Sequence, residues 1–355
     1  MECSASANHP QDVAMFRILS IDGGGIRGAF AAAFLYRLER QIGCPISDYF
    51  DLIAGTSTGG IIALALCLGE PAEKICNLYR DSGPAIFTPR TSDDLPALQR
   101  LCAKAAKWKF RSLDEATLYR SKYTSDALRD LLTAVFGTRT LEDARASRAL
   151  IPAANLTTGR TIVFKTPHQP RFIRDRYITA VDVALATSAA PTFFPQASIG
   201  IGSAYADGGL WANNPAMLAY AEAVKIHRLV KRDGLDPMFG LDEIHMISIG
   251  TGEPEYYARP APGDDGLLWW ADKLFEVASG AESQGVDFQV QYVLGPERYH
   301  RIDFKMPSTP WRLDDVAAVP ELIHYGEQAA IDKYPSIKDQ FLTTKKPPYH
   351  PFPPD

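Results

Sequence analysis

The chain of 355 residues carries 37 basic and 42 acidic side chains, a net charge of −5, and 46% hydrophobic residues. This excludes a disordered chain and a globally basic binder of DNA or RNA polymers or of anionic lipid. The longest unbroken apolar run, Ile61 to Leu68, is eight residues, against the ~20 that span a bilayer.

Residues 1–14 are polar and read as a flexible N-terminus without a basic start or an apolar stretch, so a cytoplasmic protein is the expectation. Phe16 to Ile21 then reads as a short buried strand. Asp22-Gly-Gly-Gly-Ile-Arg-Gly28 turns sharply after it, and Ala29 to Arg40 has helical propensity and period. The same grammar repeats at once: Tyr49 to Ala54 is strand-like, Gly55-Thr-Ser-Thr-Gly-Gly60 is a tight turn, and Ile61 to Leu68 continues as an apolar helix. Two such units in tandem predict an α/β fold with a mostly parallel central sheet flanked by helices.

From about 71 to 140 the pattern is helical and more polar, which predicts a helical cap inserted in the main domain. Within it, Arg100 to Arg111 carries five basic and no acidic residues, interleaved with Leu101, Trp108 and Phe110. Ala149 to Asn155 and Thr161 to Lys165 read as strands, and Ala180 to Ala190 as a helix stopped by Pro191. Ala204 to Ala206 leads into Asp207-Gly208-Gly209, Pro215 to Val230 is a helix, and His245 to Ile249 is a strand. Leu267 to Tyr292 has helical spacing, with Leu267-Leu-Trp-Trp270 as a membrane contact, a lid or a buried cluster. One domain over 15–344 is expected, followed by a Pro-rich tail over 345–355 that has five prolines in its last nine residues and reads as extended or disordered.

Three elements carry chemistry. Gly55-Thr-Ser57-Thr-Gly59 matches G-x-S-x-G, a turn that pushes a serine out between strand and helix, where it can attack a carbonyl. Asp207, followed by Gly208 and Gly209, places an uncrowded carboxylate at a strand end. The run Gly23, Gly24, Gly25 can converge its amides on an oxyanion, helped by Arg27, and one such donor is worth ~2.7–4 kcal/mol of barrier. Gly23, Gly25 and Gly28 also spell G-x-G-x-x-G, yet the acid of a dinucleotide fold belongs at the end of the next strand, and Asp51 stands at its start. No histidine has an obvious catalytic setting; His168 and His300 stay open as bases. The five cysteines form an odd count without C-x-x-C spacing, and no metal site is expected.

These elements, with Ala186-Thr-Ser-Ala-Ala-Pro-Thr-Phe-Phe-Pro195 and Asp207-Gly-Gly-Leu-Trp-Ala-Asn-Asn-Pro215, occur in an order that resembles the patatin-like phospholipases from Phe16 to about Gly252. The resemblance implies a three-layer patatin-like fold with a helical cap. It also implies a Ser57–Asp207 dyad without histidine, a covalent acyl-serine, a membrane phospholipid substrate and no cofactor or metal. The opening and compact length look most like the bacterial phospholipase effectors of cyclic-oligonucleotide-based antiphage signalling. That subgroup implies a cyclic dinucleotide activator made by a partner nucleotidyltransferase, a homo-oligomer, and action at the inner face of the cell membrane. The alternatives are a patatin-like hydrolase under other control or none, and a ligand-sensing or assembly protein on the same scaffold. Candidate nucleotide or lipid contacts are Arg100, Lys104, Lys107 and Trp108 in the cap and Arg171 and Arg174 in the run Arg171 to Arg176.

Overall fold

The computed structural model describes residues 15–90, 120–234, 238–253, 270, 273–307 and 311–351. In chain order its strands and helices are β1 (Phe16–Ile21), α1 (Gly28–Ile42), β2 (Leu52–Gly55), α2 (Thr58–Cys67), α3 (Ala72–Ile86), α4 (Asp126–Phe136), β3 (Arg148–Asn155), β4 (Arg160–Lys165) and α5 (Ala180–Thr187). They continue as β5 (Ala197–Ser198), β6 (Ala204–Asp207), α6 (Ala216–Arg232), β7 (Ile244–Ile249), α7 (Leu274–Leu294), β8 (Tyr299–Ile302) and α8 (Val319–Phe341).

All eight strands form one mixed sheet in the order β5-β6-β3-β2-β1-β7-β8, with β4 also paired to β3. The five strands from β3 to β8 along that order are mutually parallel, β4 and β6 run antiparallel to β3, and β5 pairs antiparallel with β6 at that side. The expected mostly parallel α/β sheet is present. Its parallel strands are buried on both faces: all six residues of β1 and all four of β2 are inaccessible, as helices on both sides require. One core lies between the sheet and helices α1, α2, α3, α4, α5 and α8; the other lies on the opposite face under α6 and α7. The layer order is therefore helix, sheet, helix.

Parallel order brings the C-terminal ends of β1, β2 and β7 to one edge, where Ile21 pairs with Gly55 and with Ile249. The loops leaving those ends are the glycine run, the serine turn and Gly250 to Gly252, so the topology gathers them at one place. Antiparallel β6 delivers its own C-terminus to the middle of β3, with Asp207 opposite Ala153. That register carries the carboxylate 150 positions along the chain to the serine.

In the region expected as the cap, α3 and α4 are helical, and the basic stretch with Arg100, Lys104, Lys107 and Trp108 lies outside the described residues. Residues 267–269 lie outside them too. The tail from Thr344 to Pro351 forms no helix or strand and is pinned at three points: the Lys346 N–H donates to Asp48 O at 2.9 Å, Arg17 donates to Thr344 O at 2.7 Å, and Tyr349 is buried beside Arg148, while Lys345, Pro347, Pro348 and His350 are exposed.

Candidate active site

Ser57 sits between β2 and α2 with φ 53° and ψ −122°, one of two non-glycine residues with positive φ among those described. L-residues rarely adopt this conformation, and it persists only where the surroundings enforce it. Gly55 and Gly59 are part of that enforcement. A Cβ on Gly55 would stand 2.1 Å from Gly59 O, and one on Gly59 would stand 2.3 Å from Ile21 O, so the turn closes only without side chains at both places. The Ser57 N–H donates to Thr187 Oγ1 at 3.0 Å, and that hydroxyl donates to Pro152 O at 2.7 Å. Thr56 Oγ1 donates to Ala212 O at 2.6 Å and ties the turn to the segment after Asp207.

The Ser57 hydroxyl donates to Asp207 Oδ2 at 2.7 Å, while Asp207 Oδ1 accepts the Gly209 N–H at 2.7 Å. Gly208 is held against Pro152 O, where a Cβ would come within 2.4 Å. Asp207 is wholly inaccessible and meets no counter-charge among the described residues; burial pushes its carboxyl up to about 7, against the pull of the Ser57 and Gly209 hydrogen bonds. A carboxylate with that affinity for protons, in contact with a hydroxyl on a strained turn, can accept the serine's proton near neutral pH.

Facing the pair is the glycine run. The Gly23 N–H donates to Asn213 O at 3.0 Å, so Gly23 is not available as an oxyanion donor, and the expected trio shortens to two. No acceptor among the described residues takes the N–H of Gly24 or Gly25. The run is clamped on both sides: Gly23 O accepts from Thr251 Oγ1 at 2.8 Å and Asn213 Nδ2 at 3.3 Å, and the Ile26 N–H donates to Leu313 O at 2.8 Å. Arg27, expected to help the oxyanion, instead directs its guanidinium to Gly24 O at 3.3 Å, with Met306 Sδ and Trp311 O nearby. It braces the loop through Gly24 O and also lines the pocket beside Ser57.

A pocket with about 970 Å³ of empty space, open mouth included, leads away from Ser57 and the glycine run. Its walls are apolar, with Ile75, Leu78, Phe87, Leu132, Phe193 and Phe194 among them. Four charged groups sit at the head of the loop. Asp22, next to Gly23, meets Arg301 through both oxygens at 3.1 and 2.7 Å, Arg301 also reaches Asp303 at 2.7 Å, and Glu282 accepts the Asn214 N–H at 3.0 Å. Burial raises Asp22 to about 6 in spite of Arg301.

The other expected residues lie elsewhere. Arg171 is exposed, and Arg174 is largely exposed and pairs with Asp175 at 2.6 Å, in the loop after the end of β4 that lies beside Leu150, far along β3 from Ala153. His168 is buried between Thr166 and Glu222, and His300 bonds Gln340, so neither touches Ser57 or Asp207. No group of three or more histidine, cysteine or carboxylate side chains suited to a metal occurs among the described residues. Thr187, Asn213 and Arg301 were not singled out in the sequence. The first two lie inside motif runs, which was a signal; Arg301 had none.

The fold and this site define an α/β lipid acyl hydrolase. A family model described as patatin-like phospholipase matches residues 19–220. The chain is 36% identical over 305 residues to a cGAMP-activated phospholipase of Pseudomonas aeruginosa, covering 86% of this chain and 82% of that one. It is 32% identical over 348 residues to a cGAMP-activated phospholipase of Vibrio cholerae, covering 91% and 92%. A cUMP-AMP-activated phospholipase of Escherichia coli is 29% identical over 287 residues, covering 76% and 75%. The chain belongs to the patatin-like phospholipase family.

Proposed function

We propose that this protein cleaves acyl esters of membrane phospholipids with Ser57 as nucleophile and Asp207 as its only base, under the control of a cyclic dinucleotide. The observation that carries the chemistry is the 2.7 Å contact between Ser57 Oγ and an Asp207 carboxylate that has no cation beside it among the described residues. As Oγ attacks the ester carbonyl, its proton passes to Asp207 Oδ2. The carbonyl oxygen becomes an oxyanion and takes the N–H groups of Gly24 and Gly25, with the N-terminus of α2 adding favourable potential. Asp207 then returns the proton to the departing lysolipid alcohol, which leaves an acyl-serine. Water, deprotonated by the same carboxylate, releases the fatty acid and restores Ser57. The apolar pocket beside Ser57 suits an acyl chain.

Control by a cyclic dinucleotide is supported by the names of the relatives, two of them cGAMP-activated and one cUMP-AMP-activated. On this reading the nucleotide comes from a partner nucleotidyltransferase, and the enzyme degrades the cell's own membrane from its cytoplasmic face during antiphage defence, as a homo-oligomer. No helix among the described residues is long and apolar enough to cross a membrane, which suits a substrate met at a surface. The experiment is fatty-acid release from phospholipid vesicles with and without each of a panel of cyclic dinucleotides, for the wild type and for Ser57→Ala. Release that needs both a nucleotide and Ser57 is expected. Release by Ser57→Ala removes the nucleophile, and equal release without any nucleotide removes the control.

A further inference from the structure

A run of three glycines has no side chains with which to hold its own amides in place. Its aim is set by what grips its ends, and the upstream grip is a two-pronged ion pair. Arg301 Nη1 and Nη2 donate to the two oxygens of Asp22 at 3.1 and 2.7 Å, forming a fork on the residue just before Gly23. The same guanidinium donates to Ser248 Oγ at 2.8 Å and to Asp303 Oδ2 at 2.7 Å. Asp303 Oδ1 in turn accepts the N–H of Gly252 at 2.8 Å, next to Thr251, whose hydroxyl holds Gly23 O. One side chain thus locks the ends of β1, β7 and β8 together directly beneath the oxyanion loop. The Asp22 side chain is 2% exposed and that of Arg301 18%.

We propose that Arg301 is a positioning residue for the reaction: by its two-pronged grip on Asp22 it fixes where the Gly24 and Gly25 amides point, without touching the substrate. This rests on the reading of those amides as oxyanion donors. A lysine keeps the charge and cannot reproduce a planar fork, so the geometry of the grip, separate from its charge, can be removed. A displacement of about 1 Å at such a site costs roughly 10²-fold in rate.

The test uses the full chain with cGAMP, the nucleotide named for two of its relatives, and a soluble short-chain ester, and active sites are counted by fluorophosphonate titration. Arg301→Lys is expected to lower kcat per labelled serine about 10- to 100-fold with KM within about twofold. Its affinity for a trifluoromethyl ketone, which forms a tetrahedral adduct on the serine, falls by the same factor as kcat/KM. Arg232→Lys, the same exchange at an exposed arginine at the end of α6, is expected to stay within about threefold of wild type. If Arg301→Lys does not fold, Asp22→Asn replaces it, with the same pattern of lowered kcat and steady KM. Wild-type kcat per labelled serine, a loss confined to KM, unchanged ketone affinity, or an equal loss in Arg232→Lys would each overturn the proposal. Activity in Ser57→Ala would instead sink the dyad, so the two failures are told apart.

Discussion

Two buried carboxylates, one at each end of the sheet, have opposite fates. Asp207, at the end where β1, β2 and β7 stop, faces a hydroxyl and an amide and, among the described residues, no cation, and its carboxyl rises to about 7. Glu222, on α6 near the other end, faces Lys165 and His168 and falls to about 2, although burial alone would raise it. Burial pushes His168 below its ordinary value, so it meets Glu222 as a neutral donor and Lys165 supplies the counter-charge. A buried acid with a cation is a brace. One without is held at the fold's expense, as the proposed base would be.

The largest effect that can break this contrast is on rate. Asp207→Asn keeps the shape of the side chain and loses the base, and fatty-acid release is expected to fall by about 10³–10⁴-fold, as when a catalytic triad loses a member. Glu222→Gln, by the same assay, is expected to leave the rate per folded molecule within about twofold. A loss from Glu222→Gln as deep as that from Asp207→Asn would mean that the two acids do not divide the work.

Stability gives the next effect, in the other direction. Removing the charge of Glu222 strands Lys165 in a mostly buried site and is expected to cost about 3–5 kcal/mol, read as a lower denaturant midpoint. Because its folded carboxyl lies below the ordinary value of 4.5, the contribution is present above that pH and is lost as pH falls towards about 2.

For Asp207 the sign reverses. Its folded carboxyl lies above the ordinary 3.8, so the fold holds the proton more tightly than the unfolded chain and loses stability as pH climbs from about 4 to about 7. Asp207→Asn is therefore expected to be more stable than wild type by about 1–3 kcal/mol at pH 8, with no gain at pH 4. The rate shares the same titration: kcat/KM on a soluble ester is expected to drop about tenfold per pH unit below 7 as Asp207 takes up its proton. A flat profile from pH 5 to 8 would show that the group does not titrate where its surroundings place it.

The two ends were unequally visible in the sequence. The serine turn and Asp207-Gly-Gly are contiguous, because a strained turn must carry its own small residues, so local reading reached them. The parallel sheet followed from two strand-turn-helix units in a row. What escaped depends on pairing at a distance. Three adjacent glycines look alike, and only the bond from the Gly23 amide to Asn213 O separates the first from the other two. Arg301 meets Asp22 across 279 positions because β8 pairs with β7 and β7 with β1, and no periodicity announces that. The same holds for Glu222, an apparently ordinary acid in a helix until β4 brings Lys165 to it.

The smallest effect tests whether the far end serves stability alone. There the tail returns to the sheet, and the Tyr349 ring lies 5.0 Å from the Arg148 guanidinium, itself at the start of β3 with Nη1 on Asp51 O. A ring over a partly desolvated guanidinium is worth about 0.5–1 kcal/mol beyond the area it covers. Tyr349→Leu keeps an apolar cover and removes the π face. It is expected to lower the melting temperature by about 1–2 °C, since a chain of this size spreads a small loss over a large unfolding entropy. The effect on kcat is expected to be nil, because β3 separates Arg148 from Ala153, the partner of Asp207, by four residues of buried strand. A change in kcat without a change in melting temperature would mean that the tail communicates with the catalytic end, and the division between a braced base and a reactive rim would have to be redrawn.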